Sequence, residues 1–253
     1  MSIHRFHLPP EHCGGSVLRL DGREAHHALH VLRLKRGDRI IVLDGAGNEL
    51  SCDIENTGKD FLSLTVKEKK FVPALPCAIT LLVGIPKGKI IEGIIQKAVE
   101  LGAHRIVPLL TERTITHLDS DDAENKREKW QHVAIEAIKQ CGATWLPKIE
   151  APTTIGQYLA RKGKFDLSLV GSLQTERRHP RDWILEFQKR NARLPQTAAV
   201  WIGPEGDFTL EELQAIESAG ALPITLGNLT LRVETAAIYC LSFLNYELNR
   251  TNA

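Results

Sequence analysis

What this chain of 253 residues lacks narrows its class before any motif is read. Its five cysteines, at 13, 52, 77, 141 and 240, are odd in number and scattered, with no close pair to build a zinc site or a dithiol redox centre. No apolar run approaches the roughly 20 residues that a bilayer-spanning helix needs. The opening Met1-Ser2-Ile3-His4-Arg5 leads into polar residues and prolines without the apolar core of a secretory signal. Internal repeats and low-complexity tracts are absent too. Together these absences point to a reduced, cytoplasmic setting with no membrane partner. The net charge of +1 argues against a protein that coats nucleic acid without selectivity. With 43% apolar and 25% charged residues, the chain has the makeup of a globular protein, either one large α/β domain or a small domain joined to a medium one.

Charge distribution says more than the total. Residues 1–39 hold seven Arg and Lys against four Asp and Glu, together with six of the ten histidines. By itself such a stretch reads as a solvated helix face.

The hydrophobic period changes once along the chain. Arg23–Leu34 carries Ala25, Leu29 and Leu32 at helical spacing, and Arg39–Asp44, Glu49–Glu55 and Phe61–Lys67 alternate like strands joined by hairpin loops at 44–48 and 56–60. This predicts a small β-barrel with one helix. Phe71-Val72-Pro73-Ala74-Leu75-Pro76 interrupts every pattern, so a domain boundary is placed there, giving domains 1–72 and 73–253. Beyond it the spacing predicts strands at Ala78–Val83, Ile106–Leu110, Phe165–Val170, Ala198–Ile202 and Pro223–Leu226. Helices are predicted at Lys89–Leu101, Glu124–Cys141, Asp182–Arg190, Leu210–Ala219 and Glu234–Asn249. Strands alternating with helices imply an α/β domain with a mostly parallel sheet covered on both faces.

Two apolar runs in the last fifth end at glycine. Ile202-Gly203-Pro204-Glu205-Gly206 is one, and Leu226-Gly227 followed by Leu231-Arg232-Val233-Glu234-Thr235-Ala236 is the other. Loops at the carboxyl ends of strands are where open α/β sheets hold small ligands, and glycines there let backbone groups approach closely. Thr209 with Glu212 three positions on reads as a capping box, so a helix begins directly after the first loop. Three other signals are set aside. Gly84-Ile85-Pro86-Lys87-Gly88-Lys89 mimics a phosphate loop but lacks one spacer residue and the hydroxyl that follows its lysine. His26, His27 and His30 lack a third partner for zinc, and no metal is expected. The acidic run Asp119–Glu124 and the basic run Lys126–Lys129 complement a helix start.

The two glycine loops and the helix after them resemble the SPOUT-class RNA methyltransferases, and specifically the RsmE family, which methylates N3 of a uridine in small-subunit (16S) ribosomal RNA. Lys97-Ala98-Val99-Glu100-Leu101-Gly102, Thr111-Glu112-Arg113, Gln140-Cys141-Gly142 and the opening His4-Arg5-Phe6 resemble the same family at its usual spacing, so the likeness spans nearly the whole chain. It implies an N-terminal PUA-like RNA-binding β-barrel and a C-terminal α/β-knot domain whose last helix is threaded through a deep trefoil knot. S-adenosyl-L-methionine is the implied cofactor, 16S ribosomal RNA or the small subunit the implied partner, and a homodimer the implied assembly.

The resemblance also assigns residues. Val170 and Gly171, the loop Ile202, Gly203, Pro204, Glu205 and Gly206, and then Leu226, Gly227, Leu231, Thr235 and Ala236 are the candidates for cofactor binding, with Leu226 and Leu231 on the purine. Arg232 and Arg113 are candidates to stabilise the anion left when uracil N3 loses its proton, and Glu234 either accepts that proton, orients Arg232 or serves the first turn of its helix. His4, Arg5, Arg23 and Arg33 are the candidates for RNA contact, which turns the basic N-terminal stretch into an RNA-facing patch. The chain departs from the family pattern at Ala143, where arginine is common, at Asp207, where a second glycine is usual, and at Leu229, where a basic residue is frequent. Two alternatives stay open: a methyltransferase of the same class acting on a ribose 2′-hydroxyl or a guanine, and a non-catalytic RNA-binding or ribosome-assembly protein that keeps the fold.

Overall fold

The computed structural model describes residues 3–114, 120–173 and 176–249, so Asp119 of the acidic run lies outside the described residues. The chain divides into two compact units, Met1–Ala74 with Ile135–Leu146, and Leu75–Ala134 with Pro147–Ala253.

In the first unit, period-two alternation decides the architecture. Leu18 and Leu20, Ile40 and Val42, Leu50, Cys52 and Ile54, and Leu62 and Leu64 are all sealed from water and share one core. They sit on β2 (Val17–Asp21), β3 (Arg39–Leu43), β4 (Asn48–Thr57) and β5 (Phe61–Phe71), and β1 (His4–His7) adds Phe6. The strand order is β1-β3-β4-β5-β2, with β1 parallel to β3 and every other pair antiparallel. Register shifts between β4 and β5 at Ser51/Cys52 and Ile54/Asn56 bend the sheet into an open barrel. The predicted helix runs as α1 (Gly22–His26) and then a π-helical turn, His27–Val31, placing Ala25 and Ala28 in the core. β1 and β2 carry too few alternating apolar residues to be legible from sequence. All five cysteines are free thiols, and burial pushes Cys13 up to about 11 and Cys52 up to about 12, which leaves both as protonated packing groups.

The segment Ile135–Leu146 completes this unit. Lys139, 6% exposed at its side chain, donates to Glu24 Oε1 at 2.7 Å and to Glu136 Oε1 at 2.8 Å. Arg5 Nη1 donates to the carbonyls of Lys139 and Gln140, both at 3.4 Å, and so caps the end of a helix with positive charge. Gly142 ends that helix at φ +80°, and a Cβ there would lie 3.2 Å from Arg5 Cζ. The Gln-Cys-Gly motif is therefore a helix stop shaped to fit one guanidinium.

In the second unit, β6 (Ala78–Gly84), α2 (Ile90–Glu100), β7 (Arg105–Leu110) and α3 (Ser120–Cys141) come first; the last turns of α3 belong to the unit above. Then follow β8 (Lys148–Ile149), β9 (Thr153–Thr154), α4 (Ile155–Leu159), β10 (Leu167–Gly171), α5 (Pro180–Asn191), β11 (Thr197–Ile202), α6 (Leu210–Ser218), β12 (Leu222–Ile224) and α7 (Val233–Leu248). The sheet is parallel throughout in the order β12-β10-β11-β6-β7-β8, with β9 also pairing β7. Central β6 and β11 are buried along almost their whole length, which explains their unbroken apolar runs. On one face Leu82, Val107, Val170, Ala199 and Trp201 pack with Phe208, Leu213 and Ile216. On the other, α7 packs on β6, β11 and α2. Pro223, which a central strand would exclude, is tolerated because β12 is an edge. No helix among the described residues is long and apolar enough to cross a membrane.

One ion pair aligns the starts of the two strands that matter most below. Arg193 grips Asp166, just before β10, through two nitrogens at 2.8 and 2.9 Å, and the Gln196 amide, just before β11, donates to the same carboxylate at 2.8 Å. Arg193 holds the Asp166 carboxyl down to about 2. A carboxylate lowered in this way stabilises the fold above its ordinary range and stops doing so as pH falls toward about 2. Asp166→Asn should therefore cost about 1 kcal/mol at pH 7, a value discounted for the partial exposure of the pair. Urea denaturation across pH should show the gap to the parent protein closing on acidification; a gap constant with pH would refute this assignment.

Candidate active site at the carboxyl edge of the sheet

Three neighbouring strands of the parallel sheet stop at the same edge, and their loops enclose a cavity of about 380 Å³. β10 delivers Gly171, Ser172 and Leu173, β11 delivers Ile202 to Glu205, and the stretch after β12 delivers Leu226, Gly227 and Leu229 to Arg232. Val233, Glu234 and Ala236 close it from the first turn of α7, and Ile90 from the start of α2. Gly171 is the meeting point: a Cβ there would lie 3.4 Å from Ile202 Cδ1 and 3.6 Å from Leu226 Cδ1. The walls are thus apolar, and a few polar groups stand above them, the usual makeup of a small-molecule site.

The two loop glycines are bare for different reasons. At Gly203 a Cβ would meet the chain itself, 2.9 Å from Asp207 Oδ1 and 3.0 Å from the Phe208 nitrogen. Its smoothness serves the loop's own fold more than a ligand's approach. Gly227 has φ +107° and nothing within 4 Å of its missing Cβ, so it leaves open space on the cavity wall. Asp207, where the family pattern has glycine, sits at φ +61°, a left-handed conformation that aspartate tolerates better than most residues. Its Oδ1 accepts from the Phe208 amide at 2.8 Å and its Oδ2 from the Leu173 amide at 3.3 Å, tying the β11 loop to the β10 loop.

Two further segments brace the Gly203–Gly206 loop. The Lys87 amide donates to Glu205 Oε1 at 3.0 Å, so the segment that mimics a phosphate loop is committed to a carboxylate. Gly84 lets Pro204 pack on β6, since a Cβ there would come within 2.6 Å of it. The capping box is present in both directions, Glu212 N to Thr209 Oγ1 at 3.2 Å and Thr209 N to Glu212 Oε2 at 2.9 Å. Glu212 also accepts from the Glu112 amide at 2.8 Å, which anchors the loop after β7 and brings Arg113 to donate to the Gly206 carbonyl.

The sequence-predicted residues separate accordingly. Gly171, Ile202, Gly203, Pro204, Glu205, Leu226, Gly227, Leu231 and Ala236 line the cavity, as do Arg232 and Glu234. Val170 lies one residue deeper in the core, Gly206 faces the Arg113 side chain, and Thr235 is exposed on α7 outside the lining. Arg113 is also outside the lining, its guanidinium occupied by Gly206. Exposed Arg232 is the N-cap residue of α7; its carbonyl accepts from the Ala236 amide at 2.8 Å, while its guanidinium has no hydrogen-bond or ion-pair partner among the described residues. Sequence reasoning missed Arg177, which lines the cavity and donates to the Ser172 carbonyl at 3.2 Å, together with Ile90, Ser172, Leu173 and Thr230. The available signal was position: Ser172 to Arg177 follow the end of β10 as the other loops follow β11 and β12. In the first unit His4, Arg23 and Arg33 are exposed and unpaired among the described residues, whereas Arg5 is half-buried on its helix end.

A family profile described as an RNA methyltransferase domain matches residues 73–245, and one described as an RNA methyltransferase PUA domain matches residues 20–67. The chain is 32% identical over 231 residues to ribosomal RNA small subunit methyltransferase E of Bacillus subtilis, covering 90% of this chain and 89% of that one. It is 33% identical over 245 residues to the Synechocystis protein of the same name, covering 96% and 77%. Among solved structures, a Legionella pneumophila protein with bound S-adenosylmethionine superposes with a TM-score of 0.86 at 31% identity over 98% of both chains. The Neisseria gonorrhoeae ribosomal RNA small subunit methyltransferase E, also bound to S-adenosylmethionine, gives 0.84 at 25% identity over 97% and 98%.

The role of Asp207 is directly testable. In Asp207→Ala the Leu173 and Phe208 amides lose their acceptors, so their hydrogen exchange should quicken about tenfold, the loss expected for a net hydrogen bond of about 1.4 kcal/mol. Exchange in β6 and β11 should stay as it is. Equal acceleration throughout the sheet would mean that Asp207 supports the whole fold and not the junction of two loops.

Proposed function

The chain belongs to the ribosomal RNA small subunit methyltransferase E family of RNA methyltransferases, and we propose that it is an enzyme using S-adenosylmethionine to methylate N3 of a uridine in small-subunit (16S) ribosomal RNA. One observation carries the reading: apolar walls, an open glycine, an arginine and a carboxylate line a single cavity at the carboxyl edge of the sheet. Leu226 and Leu231 suit the two faces of a purine, and the space beside Gly227 suits a ribose against backbone. The residues present therefore fit the cofactor. When bound, it supplies a methyl group on a positively charged sulfur.

The protein's own task is to make uracil N3 nucleophilic. That nitrogen must lose its proton, and the negative charge then spreads over the two flanking carbonyl oxygens. Arg232, whose guanidinium at the cavity has no partner among the described residues, stabilises that charge. Glu234, half-buried in the first turn of α7, either takes the proton or orients Arg232. Arg113 acts one step removed, holding the Gly203–Gly206 loop through the Gly206 carbonyl.

We assign RNA engagement to residues 1–72 through exposed His4, Arg23 and Arg33, and methyl transfer to residues 73–253. Arg5 contributes as the cap of its helix. Because Glu24 partners buried Lys139, deletion of the first 74 residues would strand that charge, and point substitutions test this division more cleanly than truncation. The trefoil knot belongs to the same reading, with residues 225–232 feeding α7 past the loop that follows β11. A homodimer is proposed through α7, where Thr235, Tyr239, Ser242 and Tyr246 form an exposed stripe and Tyr246 is 76% exposed. The cytoplasm, where thiols stay reduced, is the compartment that suits this work.

Incubation with labelled S-adenosylmethionine and unmodified small subunits, followed by nucleoside identification, should yield 3-methyluridine. A different methylated nucleoside would change the specificity, and cofactor binding without turnover would make the protein a non-catalytic binder. Arg232→Lys keeps charge but loses the planar pair of donors, so single-turnover methylation should fall about 100-fold with cofactor affinity little changed. If cofactor binding collapses while the rate at saturating cofactor persists, Arg232 belongs to the cofactor pocket and its charge-stabilising role is refuted.

A further inference from the structure

A second cavity, of about 560 Å³, opens on the same unit among the starts of β7 and β10 and the ends of α4 and α6. Its lining includes four cations, Arg105, Arg161, Lys162 and Lys164, and no acidic residue. Among the described residues one carboxylate is tied to these cations, buried Glu150, which accepts from Arg161 and lies 3.4 Å from Arg105 Nη1, so it offsets a single positive charge. Lys162 and Lys164 are exposed, and their ammonium groups have no partner among the described residues. Arg105 Nε is sealed from solvent and has no hydrogen-bond partner among the described residues.

Beside the cations stands an aromatic wall. Tyr158 meets Trp201 edge to face at 5.5 Å, and the Trp201 indole is fixed by a 3.1 Å hydrogen bond to Ser168 Oγ. Tyr158 and Phe165 are half-buried, so each keeps ring surface available, and Arg161 lies 5.3 Å from the Tyr158 ring centroid. Unneutralised cations next to rigid rings are the combination that binds a nucleotide unit, with the phosphate on the charges and the base on an aromatic face.

We propose that this cavity is a nucleotide-binding subsite separate from the cofactor cavity, its base contacts being Tyr158 and Phe165 and its phosphate contacts Arg161, Lys162 and Lys164. The nucleotide unit comes either from a single RNA strand or from a free nucleotide. The strand source rests on the reading of the chain as an RNA methyltransferase; the free-nucleotide source does not.

The test uses the full chain, a fluorescent single-stranded oligouridylate containing 4-thiouridine, and uridine 5′-monophosphate as competitor. In the double variant Lys162→Glu, Lys164→Glu, affinity for the oligouridylate should fall about tenfold or more, and the dependence of log affinity on log salt should flatten by about 1.4, two phosphate contacts at about 0.7 each for a single strand. S-adenosylmethionine affinity, measured in parallel, should not change, so failure of this proposal is distinguishable from failure of the cofactor assignment. Photocrosslinks should map to residues 158–168. Displacement of the oligouridylate by the monophosphate identifies a free nucleotide as sufficient, and its failure to displace identifies the strand. Unchanged affinity in the double variant, crosslinks confined to other segments, or no binding of either probe would overturn the proposal.

Discussion

The constraint behind the functional half of this protein is that a parallel sheet buried on both faces can offer polar backbone to a ligand only at its ends. β6 and β11 are sealed along almost their whole length, and every neighbouring pair in the sheet runs the same way. The loops after β10, β11 and β12 are therefore forced to one edge, where they converge whatever their sequences. What the sequences decide is how the convergence is held. Asp207 joins two of the loops, Glu205 and Pro204 fix the segment after β6, and Arg113 with Glu212 fixes the segment after β7. Much of the conspicuous Ile-Gly-Pro-Glu-Gly loop thus serves to bind protein to protein, leaving a smaller set to face the cavity.

That division changes how glycines and charges in such a motif are to be understood. Gly84, Gly203 and Gly206 each lie against part of the chain itself, whereas Gly227 alone combines a left-handed φ with empty space on the cavity wall. Among the arginines the same separation holds. Arg5 and Arg113 both donate to backbone carbonyls, one at a helix end and the other at the Gly206 turn, while the Arg232 guanidinium is left without a partner among the described residues. A cation that already satisfies a carbonyl is a structural element, and one held at a cavity wall by a helix N-cap is available for chemistry.

Legibility from sequence followed the strength of the periodic signal. The long elements were readable because their patterns repeat: Ile91, Ile94, Ile95 and Ala98 on α2, the alternating residues of β3 to β5, and the Thr209–Glu212 box at the start of α6. β8, β9 and α4 were not, since two-residue strands and a five-residue helix are shorter than one period of either pattern can establish. Residues at the strand ends line the cavity, but Arg177 and Ile90 reach it from segments whose own sequences carry no motif. The packing of Ile135–Leu146 with the first 74 residues was invisible for a related reason. Lys139 on a helix reads as a solvated lysine, and only the fold reveals Glu24 waiting 2.7 Å away.

Strand alternation gives β11 a double duty within its last two residues. Trp201 points into the face shared with α4 and α6, where it backs the second cavity, and Ile202 points the other way, into the first. A strand this deeply buried has little freedom to adjust one residue without moving the next, because interiors are packed too tightly to deform smoothly. The Asp166–Arg193 clamp fixes the amino ends of β10 and β11, and the Asp207–Leu173 bond fixes their carboxyl ends. Between those two restraints the strands are held in register by parallel pairing from Leu167–Ala198 to Val170–Trp201. Adjacent residues of one buried strand thus form part of the walls of two separate cavities.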